Sequence, residues 1–161
     1  MNTNNKIVYT IAQTALVAAV YAALTIVLPL QYGAVQFRVA EILTLLCFYN
    51  KKFIPALILG CFIANLPSEL GWIDWVAGTS ATAIAVVLMS KCKSIWLAAL
   101  FPVITNAVIV GAMLTYLFEM PIWVSAGFVA LGQFTVIVVV GVALFKFVLE
   151  KNKAFMNLIK Q

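Results

Sequence analysis

Apolar runs too long to hide inside a small water-soluble domain set the limits on this chain. Six can be drawn: Ile7–Leu30, Arg38–Tyr49, Phe53–Asn65, Trp75–Met89, Ser94–Phe118 and Pro121–Leu149. The breaks between them hold the polar, Gly and Pro residues that punctuate structure. Crossing the hydrocarbon core takes about 20 helical residues. The first, fifth and sixth runs reach that length and the middle three fall short. Only 9% of the 161 residues are charged, against roughly 25% in a soluble domain. No period-2 alternation runs through these segments, which argues against a β-barrel. The expected fold is an all-α integral membrane protein, a six-transmembrane-helix bundle forming one domain over residues 1–161. The first run exceeds the ~7–15 apolar residues of a signal peptide, so it reads as a retained helix.

The positive charges fall in register with this division. Lys6 precedes the first run and Lys51 and Lys52 separate the second from the third. Lys91 and Lys93 separate the fourth from the fifth, and Lys146, Lys151, Lys153 and Lys160 end or follow the sixth. In a six-span topology every lysine then lies on one side, the cytoplasmic one by the positive-inside rule. Both termini are expected in the cytoplasm and the chain in a prokaryotic cell membrane as a multi-pass protein. The opposite side holds Glu69, Asp74, Glu119 and the lone cation Arg38. The net charge of +5 is thus a topology signal and not a nucleic-acid footprint.

Several chemistries are excluded at the outset. There is no histidine, which removes Ser-His and Cys-His catalysis and the commonest metal ligand. Cys47, Cys61 and Cys92 form no CxxC pair and are odd in number. No carboxylate cluster suggests a metal, and no GxxxxGK[ST] loop offers ATP hydrolysis. An enzyme is therefore not expected, nor a cofactor.

Polar residues inside the apolar runs are the candidate site, because the bilayer makes them costly. A spacing of three puts Arg38 and Glu41 on one helix face. They either neutralise each other or face a polar solute. Asn65 ends the third run as a cap or a pocket residue. Asp74 precedes the fourth, where it reads as an N-cap or a pocket residue. Asn106 and Gln133 lie deep in the fifth and sixth runs. Each amide offers two donors and an acceptor, suited to the edge of a heterocyclic base or to a hydrogen bond between helices. The short middle runs leave Gln31–Phe37 and Leu66–Asp74 to roof a pocket near the outer face, with Trp72 as the residue to stack on a planar ligand. The first helix carries Ala15, Ala19 and Ala23 at four-residue spacing, with Ala18 and Ala22 alongside. Such a smooth stripe serves packing within a bundle or docking of another membrane subunit.

Gln36-Phe37-Arg38, then Glu41 and Leu43-Thr44-Leu45-Leu46, resembles the start of helix 2 in the queuosine-precursor (QueT-type) substrate-binding subunits, or S components, of energy-coupling factor transporters. Ala64-Asn65, Gly78-Thr79, Thr105-Asn106-Ala107 and Gly132-Gln133-Phe134 are similar to later motifs of that family. The resemblance covers nearly the whole chain. It implies capture of a vitamin or precursor from outside, then association with a transmembrane coupling subunit and two ATPases through the alanine stripe. It also implies toppling of the subunit in the membrane to release ligand inward. The implied ligand is a 7-deazaguanine such as 7-aminomethyl-7-deazaguanine. Gln36, Arg38, Glu41, Asn65, Trp72, Asp74, Asn106 and Gln133 are the expected substrate-binding residues. An S component for another vitamin, or a self-sufficient small-solute carrier, is the alternative.

Overall fold

In the computed structural model, residues 3–28 and 37–160 are described. Among them run seven helices: α1 (Thr3–Val27), α2 (Val39–Tyr49), α3 (Ile54–Asn65), α4 (Trp72–Met89), α5 (Ile95–Phe118), α6 (Ile122–Leu149) and α7 (Lys153–Lys160). No strand occurs among the described residues. The helices thus number seven where six spans are expected. The added α7 follows the charged break Glu150-Lys151, where the apolar pattern stops. The Asn152 side chain accepts the Phe155 N–H at 3.1 Å and so starts a new turn.

By length and composition α1, α4, α5 and α6 can cross a membrane, whereas α2 and α3 are too short. α2 is also wound differently, with a 3₁₀ segment over Val39–Leu45 before its α turn. Asn50 ends it in extended conformation and accepts the Lys52 N–H at 3.1 Å. α4 begins after Gly71, whose φ of +64° suits glycine. Gly71, not Asp74, is the N-cap residue, and Asp74 lies in the first turn of α4. Glu119 closes α5 in the left-handed region at φ 55°. Pro121, its amide useless to a helix, precedes α6.

α6 holds a continuous helical course but changes pitch. Beyond Gln133 it is π-wound over Phe134–Gly141 and Leu144–Leu149. The wider winding brings three consecutive residues, Val136, Ile137 and Val138, into the interior.

Close packing is concentrated where glycines permit it. A Cβ on Gly60 of α3 would stand 3.0 Å from the Ala18 carbonyl oxygen of α1, and one on Gly111 of α5 would stand 2.9 Å from the Ala126 Cα of α6. The interior divides into two apolar clusters. The larger takes Tyr21, Leu45, Leu57, Val86, Val103, Val136 and Phe145. It lies toward the lysine-bearing end, where the α7 residue Ile159 also joins it and where the Asn50 side chain donates to the Ile159 carbonyl at 2.9 Å. Lys52 at this end donates to Gln13 Oε1 at 2.9 Å. Partial burial lowers its ammonium from the ordinary lysine value. The smaller cluster gathers Ala81, Val110, Met113, Leu114 and Val129 toward the opposite end.

Candidate functional site

The two apolar clusters are separated on α4, α5 and α6 by polar residues. On α5, Asn106 falls between Val103 and Val110. On α6, Gln133 falls between Val129 and Val136, and on α4 Thr82 falls between Ala81 and Val86. All three are buried, as are Glu41, Asn65 and Asp74. The short α2 and α3 explain the rest of this layer. α2 begins just after Arg38 and α3 ends at Asn65, so the two side chains meet at helix ends, Asn65 buried and Arg38 nearly so.

Arg38 ties three elements together. Its Nη2 donates to Asn65 Oδ1 at 3.0 Å and lies 3.7 Å from Asp74 Oδ2. Asn65 Nδ2 in turn donates to the Asp74 carbonyl oxygen at 3.4 Å. Asn65 thus uses both ends of its amide on side-chain and backbone partners, while the C-cap position of α3 belongs to Leu66. Gly78 makes room for this arrangement, since a Cβ there would stand 2.5 Å from Asn65 Nδ2.

The ion pair expected between Arg38 and Glu41 is not formed. Arg38 precedes the helix with φ −79° and ψ 86°, so the three-residue spacing does not put the two side chains on one α-helical face. Arg38 turns to Asp74 instead. Glu41 faces α1, where the Tyr21 hydroxyl donates to its Oε1 at 2.7 Å. Its Oε2 has no hydrogen-bond partner. Beside this pair, Cys61 Sγ lies 3.3 Å from Thr82 Oγ1.

Unmet hydrogen-bonding capacity runs through the layer. Asn106 Nδ2 donates to the Pro102 carbonyl of its own helix at 3.0 Å, so it does not bridge helices, and its Oδ1 is buried without a partner. Gln133 Oε1, Arg38 Nε, Trp75 Nε1, Thr79 Oγ1 and Ser125 Oγ are likewise unpartnered. Native interiors leave few such groups.

Trp72 does not join the layer. It opens α4 with 67% of its surface exposed, while Trp75, one turn on, directs its indole nitrogen into the bundle. Gln36 and the roof segment up to it lie outside the described residues. The second roof segment, Leu66–Asp74, is a turn that runs directly into α4. Sequence reading missed Tyr21 as a member of the layer and chose Trp72 over Trp75. For Tyr21 a signal was present, one hydroxyl-bearing side chain set among the small residues of α1. The alanine stripe divides: Ala18 and Ala22 are buried within the bundle, whereas Ala15, Ala19 and Ala23 are exposed.

A family model described as QueT transporter matches residues 11–150. The chain belongs to the QueT transporter family. A curated relative, the queuosine precursor transporter QueT of Lactococcus lactis subsp. cremoris (strain MG1363), is 33% identical over 144 residues, which is 78% of this chain and 84% of the relative. No solved structure is a significant match. The QueT-family match takes in the whole polar layer from Tyr21 to Gln133 and stops before α7. Family and relative are transporters, in keeping with a chain that moves a solute and does not transform it.

Proposed function

We propose that this QueT-family chain is the substrate-capture subunit of an energy-coupling factor importer and that its cargo is a queuosine precursor, a 7-deazaguanine such as 7-aminomethyl-7-deazaguanine. The observation that carries the reading is the polar layer, buried within a transporter-family bundle and rich in unmet hydrogen-bonding atoms. A planar base offers ring N–H, amino and carbonyl groups of the kind those atoms lack. Gln36, Arg38, Glu41, Asn65, Asp74, Asn106 and Gln133 are the residues assigned to it. In this reading Trp75 takes the stacking role first assigned to Trp72.

The proposed topology has six spans and cytoplasmic termini in a prokaryotic plasma membrane, as one domain. α2 and α3 count as spans because Lys51 and Lys52 return the chain to the side of Lys91 and Lys93, as the positive-inside rule requires. Ala15, Ala19 and Ala23 form the face that meets a transmembrane coupling subunit, which two ATPases drive. Their exposure, on the least buried of the four long helices, supports that use, since small residues allow close approach of a second helix.

Titration of the purified chain with 7-aminomethyl-7-deazaguanine, followed by calorimetry, tests the reading. Guanine, riboflavin and thiamine serve as comparators. Selective binding of the deazaguanine, weakened in Asn106→Ala, is the expected result. Binding of a comparator in its place would keep the capture role and discard the cargo. A folded chain that binds none of them would overturn both.

A further inference from the structure

The charges of the polar layer do not balance. Among the described residues it contains one cation, Arg38, and two carboxylates, Asp74 and Glu41. The remaining acidic side chains, Glu69, Glu119 and Glu150, are exposed in turns or at helix ends. The lysines belong to the opposite end of the bundle, and positions 29–36 carry no charged residue. Arg38 is committed to Asp74 and Asn65. Glu41 accepts from the Tyr21 hydroxyl on Oε1, with the Thr82 hydroxyl and Arg38 also near it, and its Oε2 is buried without a hydrogen-bond partner.

We infer that Glu41 is the charge-selecting residue of this site, and that it makes the protein prefer a substrate bearing one ammonium group over a neutral substrate with the same ring. The inference rests on the proposed cargo and deepens it by fixing the charge of the substituent. Glu41 is fully buried (0% exposed), and a buried charge is tolerated when it is paired and hydrogen-bonded. The Tyr21 hydroxyl donates to Oε1, and Oε2 is left without a donor. An ammonium supplies both the donor and the missing positive charge, which brings the layer to neutrality. Asp74 is the poorer partner, because Arg38 already compensates it. The amide oxygens Asn106 Oδ1 and Gln133 Oε1 add two more acceptors without donors, against the unpartnered N–H donors Arg38 Nε and Trp75 Nε1, so the layer calls for a ligand that brings donors and an acceptor. A nitrile in place of the aminomethyl group would bring a further acceptor and no charge.

The test compares three ligands on the full chain, alike in the 7-deazaguanine ring and differing at its substituent: aminomethyl, hydroxymethyl and cyano. The amine is expected to bind at least about tenfold more tightly than either neutral ligand, the gain of a charge-assisted hydrogen bond. In Glu41→Gln, which keeps the shape and still accepts from Tyr21, that gap is expected to close to within about threefold through loss of amine affinity. Equal binding of all three by the unaltered chain, or preference for the nitrile, would overturn the inference and leave the cargo class standing. A gap that survives in Glu41→Gln would overturn the role of Glu41. Failure of all three to bind would remove the proposed cargo and this inference with it. The ligand series on the unaltered chain decides the charge preference even if Glu41→Gln does not fold.

Discussion

Gly78 has no side chain because Asn65 occupies the space that one would need. A methyl group there would approach Asn65 Nδ2 to 2.5 Å and the Asp74 carboxylate to 3.4 Å, and neither neighbour is free to withdraw, since Arg38 holds both. Gly78→Ala is expected to lower stability by about 1–3 kcal/mol, read as a lower midpoint of thermal unfolding in detergent, and to weaken ligand binding as well. Arg38 invites a sharper experiment. Arg38→Met alone strands Asp74 as a buried charge and is expected to cost about 3–5 kcal/mol, whereas Arg38→Met with Asp74→Leu is expected to recover most of that loss. A double-mutant cycle on unfolding midpoints checks it. At this scale the sequence named most members of the polar layer but not its pairings. Arg38, Glu41, Asn65 and Asp74 were legible because charges and amides are rare in apolar runs. The exchange of Glu41 for Asp74 as the partner of Arg38 was not, because it follows from the 3₁₀ start of α2 and from the meeting of α2, α3 and α4, neither of which periodicity records.

Helices meet here through small residues, and α1 shows the two uses of such a surface. Ala18 lies against α3, where Gly60 lets the backbones approach to contact, and Ala22 is buried within the bundle. Ala15, Ala19 and Ala23 look outward. Gly60→Val is therefore expected to destabilise the isolated chain, because its branched Cβ meets the Ala18 carbonyl and the Tyr21 Cβ, both at 3.0 Å before any side chain is added beyond it. Ala19→Trp is expected to leave the unfolding midpoint and ligand affinity unchanged and to abolish co-purification with the coupling subunit. Persistence of that complex would relocate the docking face. The stripe itself was evident in the sequence. Its division was not, since which alanines face inward depends on where α3 packs. The boundaries of α3, α5 and α6 were readable to within a residue, because Pro, Gly and charged breaks flank them. The π winding of α6 left no such mark.

The molecule as a whole is polarised, with lysines at one end and the polar layer displaced toward the other. Its proposed orientation can be read from thiol chemistry. Cys47 and Cys61 are buried, and Cys92, beside Lys91 and Lys93, is partly exposed. A membrane-impermeant maleimide is expected to label Cys92 in inside-out vesicles and not in intact cells. A cysteine placed at Glu119 in a Cys92→Ser background is expected to show the reverse. The short α3 has a further consequence, for the lipid. Its outward side chains Leu59, Phe62 and Ile63 form an apolar surface that 12 residues can extend over only about 18 Å, against roughly 30 Å of hydrocarbon. α5, with 24 residues, gives about 36 Å on another flank. In the proposed six-span topology the protein therefore presents the bilayer with unequal hydrophobic heights around its girdle. Acyl chains must compress along α3 while they stretch or tilt the helix along α5. Each flank carries a mismatch of its own, and the depth and inclination at which the bundle floats become functions of membrane thickness.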